Sequence, residues 1–150
     1  MRALVAFNLW QWIEQNRATF EPPVGNKVIW EDSQFTAMII RGPNARRDFH
    51  VDPSDEIFYM LKGDMVLESM RGGTRQRQVI REGELLLVPA FTPHSPHRPP
   101  DTWGLVIETT AAATPPRSMS SIDLAGVHVV LAGCSSGRPL TAVTQAGGAK

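Results

Sequence analysis

The sequence predicts an all-β sandwich or barrel entered through one short N-terminal helix. Three observations carry that reading. Between Phe35 and Glu108 the chain breaks into short apolar or β-compatible runs divided by Gly, Pro, Asn and Asp turns at roughly ten-residue spacing. Helical periodicity is confined to the N-terminus. The chain also shows no internal repeat and no heptad pattern.

In order, Asn8 is a good N-cap for a helix over Leu9–Arg17, where Leu9, Trp12 and Ile13 fall on one face. That helix must stop before Pro22-Pro23. Phe35–Ile40 reads as a strand closed by Gly42-Pro43-Asn44. Glu56–Lys62 and Met65–Met70 read as strands joined at Gly63-Asp64. Gly72-Gly73 then leads to Arg75–Ile80, where alternation is only partial. Arg81-Glu82-Gly83-Glu84 makes a turn before Leu85–Val88, an apolar run that reads as buried. Residues 89–100 read as a loop stiffened by prolines, and Trp103–Glu108 is the last clear strand.

The length of 150 residues suits a single hydrophobic core. Hydrophobic residues make up 42% and charged residues 20%, so the expected class is a soluble globular protein rather than a disordered chain. Fifteen basic residues balance fifteen acidic ones, which leaves no electrostatic case for nucleic acid. No run approaches the roughly 20 apolar residues of a membrane span, and no secretory leader is legible, so the expectation is a cytoplasmic protein. Cys134 is the single cysteine, which excludes an intramolecular disulfide and any thiolate cluster.

Composition shifts near residue 109. Only Asp123 of the fifteen acids lies beyond Glu108, and Thr109–Lys150 is mostly Ala, Gly, Ser and Thr. The chain is therefore divided into a domain over 1–108 and a divergent segment over 109–150. In that segment Val127–Ala132 is a candidate strand, and a flexible tail is the alternative.

Of the four histidines, His50 precedes Glu56 at a spacing that points both the same way along a strand. His94 sits in the proline-rich loop. Alone, the first pair is as well explained by a surface ion pair, and the second histidine by solvation. Together they are more specific. Gly42-x5-Asp48-x-His50-x5-Glu56-x6-Gly63 parallels the first cupin motif, and Gly83-x5-Pro89-x-Phe91-x2-His94-x3-Arg98 parallels the second. The resemblance implies a cupin double-stranded β-helix, or jelly roll. Asp48 stands where cupins commonly carry a first histidine, the His–Glu gap is one residue longer, and Arg98 replaces an asparagine. Three ligand types remain: His50, Glu56 and His94. Two imidazoles and one carboxylate with open positions is the set used by non-haem Fe(II) oxygenases.

More narrowly, residues 8–108 resemble the short, bacterial single-cupin 3-hydroxyanthranilate 3,4-dioxygenases. The matching text includes Pro22-Pro23-Val24-Gly25-Asn26-Lys27, Trp30-Glu31-Asp32, Gly42-Pro43-Asn44-Ala45-Arg46 and Asp48-Phe49-His50. It continues through Glu56-Ile57-Phe58-Tyr59, Ile80-Arg81-Glu82-Gly83-Glu84, Pro93-His94-Ser95-Pro96 and Gly104-Leu105-Val106-Ile107-Glu108. The resemblance implies ring opening of 3-hydroxyanthranilate by O2, giving 2-amino-3-carboxymuconate semialdehyde, which cyclises to quinolinate on the route to NAD. It implies one Fe(II) per chain on His50, Glu56 and His94. It also implies a carboxylate clamp of Arg46 and Arg98, Glu108 as the acid–base partner of the ring's amino or hydroxyl group, and Asn26 on a loop closing over the ring. A homodimer is implied as well.

Asp48 is read as an acceptor orienting an arginine or a ligand, and His97 as a polar loop residue. His128 lies outside the matching text. Relatives of this type carry a second, rubredoxin-like iron on paired Cys-x-x-Cys motifs; with one cysteine, that iron is expected to be absent. Two other readings stay open. The divergent C-terminus would leave a metal- or ligand-binding cupin without turnover, or the cupin would serve another reaction on Zn²⁺ or Mn²⁺.

Overall fold

The computed structural model describes residues 4–21, 25–45, 48–110 and 129–131. The Asn8 side chain accepts a hydrogen bond from the Gln11 N–H at 3.0 Å and starts helix α1, Leu9–Gln15. Asn16 ends it by folding its side-chain amide back onto the Trp12 carbonyl at 2.8 Å. The chain then tightens into a 3₁₀ turn, Arg17–Phe20, so the helix closes two residues earlier than the sequence predicts. Its apolar face survives that change. Ile13 and Phe20 are buried against Ile39 and Trp103, with Leu9, Trp12, Leu61 and Leu105 around them.

The rest, among the described residues, is two sheets whose pairings are antiparallel but for one. Sheet A runs in the order β1 (Asn26–Val28), β2 (Phe35–Arg41), β10 (Trp103–Thr109), β5 (Glu56–Lys62), β8 (Leu85–Val88). Sheet B runs β11 (Val129–Leu131), β4 (Phe49–Val51), β9 (His94–Arg98), β6 (Met65–Arg71), β7 (Thr74–Ile80), and β3 (Asn44–Ala45) pairs separately with β9. The strand β10, late in the sequence, sits between β2 and β5, and β9 sits between β4 and β6. This interleaving of late and early strands is the jelly-roll connection.

The period of two decides what faces inward. Along β5, Glu56, Phe58 and Met60 are buried while Ile57 is exposed. Phe58, Met60, Met65, Leu67, Ile80, Val88 and Val106 form the core between the sheets. Each such side chain contributes about 1.5–3 kcal/mol on leaving water. A second apolar cluster, under α1, covers part of the outer face of sheet A.

Two further sequence expectations change, and a candidate strand left open by the sequence is seen in part. Leu85–Val88 is an edge strand that alternates rather than a buried run: Leu86 packs on the core, whereas Leu85 is 67% and Leu87 57% exposed. The loop over 89–100 contains a strand, β9. Pro96 is tolerated there because it falls between two partial partners, β4 reaching His94 and β3 reaching His97 and Arg98. The candidate strand Val127–Ala132 contributes β11, paired parallel to β4 with Val130 opposite His50. The remainder of the flexible-tail expectation falls outside the described residues.

Candidate metal centre and anion pocket

Two cross-strand pairs build the site, one from each sheet. In sheet B, His50 on β4 lies opposite His94 on β9. In sheet A, Glu56 on β5 lies opposite Glu108 on β10. Residues opposite one another share a face, so packing the sheets brings both histidines against both carboxylates. The His50 and His94 ring centroids are 4.0 Å apart, tilted by 57°. His94 Nε2 and Glu56 Oε2 are 2.8 Å apart. One ligand atom from each of His50, Glu56 and His94 falls within 4.8 Å of the others.

The surroundings prepare these atoms for a cation. His94 is fully buried and Glu56 is 4% exposed. The His94 Nδ1–H donates to the Thr92 carbonyl at 2.8 Å, an assignment made from that contact, so Nε2 carries the lone pair. Neither His94 Nε2 nor Glu56 Oε2 has a hydrogen-bond partner among the described residues, although they touch. Buried polar atoms are otherwise almost always satisfied. Two imidazoles and a carboxylate converging within 4.8 Å are a ligand set that suits a divalent transition metal.

Backbone contacts hold the loops flanking His50 and His94 together. Phe91 adopts φ +61°, a left-handed conformation that costs a non-glycine residue about 1 kcal/mol or more. Its N–H donates to the Asp52 carbonyl at 2.7 Å, which ties the loop before His94 to the loop after His50. The Asp52 carboxylate meanwhile accepts from the Ser54 N–H at 3.0 Å and the Ser54 hydroxyl at 2.8 Å. The signal for Phe91 was present in the sequence, because cupins carry glycine at that motif position. The motif glycines Gly63 and Gly83 take φ +69° and +81°, as their turns require.

Glu108 shares its surroundings with Asp52 and Glu56, and ligand atoms of these three also fall within 4.8 Å. Burial, then the charges of Asp52 and Glu56, push its carboxyl up to about 7, against a hydrogen bond from Thr36 and the attraction of His94.

Arg98 lies on β9 opposite Asn44, 3% exposed. None of its three guanidinium nitrogens has a hydrogen-bond partner among the described residues. Burial lowers its pKa to about 10, while the nearby Glu56 charge works the other way. A buried cation with unused donors offers hydrogen bonds that an anion could accept.

The other expected site residues divide. Asn26 is not on a loop: it opens β1, exposed, opposite Ile40 at the edge of sheet A. Arg46 lies outside the described residues. Asp48 is half-buried just before β4. His97 belongs to a strand rather than a loop; it sits at an odd spacing from His94 and meets Glu68 Oε2 at 3.3 Å.

The chain is similar to known proteins in family and in fold. The family model of 3-hydroxyanthranilic acid dioxygenase matches residues 1–120. A 3-hydroxyanthranilate 3,4-dioxygenase of Bacillus thuringiensis is 54% identical over 108 residues, covering 71% of this chain and 60% of that protein. The Rattus norvegicus enzyme of the same name is 50% identical over 97 residues, covering 65% of this chain and 34% of its own length. This chain thus spans about three-fifths of the bacterial relative. Among solved structures, a cupin-2 domain containing protein from Shewanella frigidimarina superposes with a TM-score of 0.53 at 18% identity, over 65% of this chain and 91% of that one. A protein from Neisseria meningitidis gives 0.53 at 23%, over 65% and 95%. These two likenesses speak for the fold, a cupin jelly roll. With the family model covering most of its length, the chain belongs to the 3-hydroxyanthranilic acid dioxygenase family.

Proposed function

We propose that this chain carries the catalytic centre of an Fe(II)-dependent 3-hydroxyanthranilate 3,4-dioxygenase. The observation that supports the reading is the convergence of ligand atoms of His50, Glu56 and His94, in a chain of this family, with the Arg98 guanidinium, which has no hydrogen-bond partner among the described residues, over the Phe58 ring.

His50, Glu56 and His94 would hold the iron. When bound, Fe(II) supplies open positions for the substrate's phenol oxygen and amine and for O2, and the electron transfer that activates oxygen. The residues of the chain do the rest. Arg98 receives the ring carboxylate, with Arg46 as the second arm of the clamp. That contact orients the ring so that its hydroxyl and amino groups point away from the arginine. Glu108, with its carboxyl pushed up to about 7, is poised near neutrality to accept the phenol proton and return it later. Asn26, at the edge of sheet A, covers the ring. Both atoms of O2 end in the product: the C3–C4 bond breaks, C3 becomes a carboxylate and C4 an aldehyde. The resulting 2-amino-3-carboxymuconate semialdehyde closes to quinolinate by condensation of its amine with the aldehyde.

The test is oxygen uptake with the rise and decay of the ring-opened chromophore when the iron-loaded chain meets 3-hydroxyanthranilate in air. Uptake of about one O2 per ring opened is expected. Ring binding without oxygen uptake by a folded, iron-loaded chain overturns the reading. A chain ending near residue 110, assayed beside the full chain, tests the division at 108–109, and sedimentation tests the homodimer. No helix among the described residues is long and apolar enough to cross a membrane; a cytoplasmic location is part of the proposal.

A further inference from the structure

From the packing around the anion receptor we infer that Phe58 is its positioning residue: the Phe58 ring holds the Arg98 guanidinium at the angle needed to receive a ring carboxylate. The inference rests on the reading of Arg98 as the carboxylate-binding residue and goes beyond it, because Phe58 has no polar atom and no place in the proton or metal chemistry.

A guanidinium that is 3% exposed and has no hydrogen-bond partner among the described residues needs something else to define its orientation. Arginine has many rotamers, and an unheld fork loses the geometric match that makes it better than lysine for a carboxylate. The Arg98 carbon Cζ lies 5.8 Å from the centroid of the Phe58 ring, within the range of a cation–π contact. Phe58 is itself fixed. It is 2% exposed on β5, in the core between the sheets, and its ring stands edge-on to His94 at 5.7 Å and 85°. One rigid ring thus touches both the buried imidazole and the buried cation. On the neighbouring strand, Gly104 leaves room beside the arginine, since a Cβ there would stand 3.7 Å from Arg98 Nε and 3.4 Å from Met60 Sδ.

The consequence is a geometric link. Arg98 and His94 are both on β9, four residues apart, and Phe58 on the opposite sheet approaches both. The distance and angle between carboxylate site and metal site then depend on a ring belonging to neither. Losing the ring face should loosen the arginine and weaken carboxylate recognition, while leaving recognition of an uncharged ring nearly intact.

The experiment uses the full chain under argon, with and without added Fe(II). The probes are 2-aminobenzoate, which lacks the phenol oxygen and is not cleaved, and its neutral analogue 2-aminobenzamide. Their fluorescence reports binding to wild type, Phe58→Leu, Phe58→Tyr and Arg98→Ala. Phe58→Leu is expected to weaken 2-aminobenzoate by about tenfold and 2-aminobenzamide by less than about twofold, with Phe58→Tyr close to wild type. Equal weakening of both probes, or of neither, overturns the inference. If Arg98→Ala weakens 2-aminobenzoate and Phe58→Leu does not, the inference alone fails. If Arg98→Ala changes nothing, the carboxylate reading of Arg98 fails and takes the inference with it. Should Phe58→Leu not fold, trifluorophenylalanine placed at position 58 by nonsense suppression removes the negative ring face at nearly constant volume, and the same two probes decide.

Discussion

Glu56 Oε2 and His94 Nε2 stand 2.8 Å apart, one carried by sheet A and the other by sheet B. Both atoms are buried and neither has a hydrogen-bond partner among the described residues. Two lone-pair atoms this close and this dry are costly unless a proton or a cation lies with them. The pair therefore marks the seam where a metal would staple the two sheets.

Removing one side of that seam should release the metal. His94→Ala is expected to lower iron retention by at least about 100-fold after dialysis against a weak chelator, read by metal analysis per folded chain. Full iron stoichiometry in a folded His94→Ala protein would remove His94 from the ligand set.

Glu108 predicts a pH signature in the metal-free protein. Its carboxyl is raised to about 7, so between its ordinary value of 4.5 and about 7 the folded state holds a proton that the unfolded state has lost. Stability from this group is accordingly full below 4.5 and is lost as pH rises through about 7. Glu108→Gln should be more stable than wild type at pH 8 and nearly equal at pH 4.5 in urea titrations. A difference that does not change with pH would contradict the cause.

Arg98 predicts a trade of stability for binding. The guanidinium pays a desolvation cost that lowers its pKa to about 10, and a buried charge is often replaceable by an apolar side chain of similar length. Arg98→Met should raise metal-free stability by about 1–2 kcal/mol. It should also weaken binding of 2-aminobenzoate at least about tenfold. A destabilised Arg98→Met protein would show that the attraction of Glu56 and the Phe58 ring outweighs desolvation.

Gly42 predicts a purely steric effect. A Cβ there would lie 2.0 Å from the Pro99 carbonyl oxygen and 2.4 Å from Thr102 Oγ1, and the Gly42 N–H donates to the Thr102 carbonyl at 2.9 Å. Backbone cannot yield as a side-chain tip can, so Gly42→Ala should cost about 2 kcal/mol or more in a denaturant melt. Wild-type stability would mean that the strand ends at β3 and β9 separate more easily than their packing indicates.

Much of this was legible from residue order. Glu56–Lys62 and Leu85–Val88 have the boundaries read from their turns, and Met65–Met70 and Trp103–Glu108 are each one residue longer in the structure. Those strands are delimited by glycine and charged turns, which are local signals. His50, Glu56 and His94 stood at motif spacing, and the structure brings them together. What escaped were features set by distant partners. The strand β9 hides in a proline-rich segment because its pairing comes from β6, β4 and β3, and Pro96 masks it. The exposure of Leu85 and Leu87 follows from the edge position of β8, which no local pattern reveals.

By itself the sequence determined the strand-and-turn texture, the three ligand-type residues at motif spacing and the family resemblance, because turn chemistry and motif spacing are properties of neighbours along the chain. Only the tertiary structure decided that Glu56 faces Glu108 within one sheet, that His94 meets Glu56 across the gap, and that Arg98 is buried against Phe58 with no hydrogen-bond partner among the described residues. The period of two assigns each side chain to one face or the other of its strand. Which faces then meet, and which charges lose their water, depends on how sheets assembled from distant segments pack together.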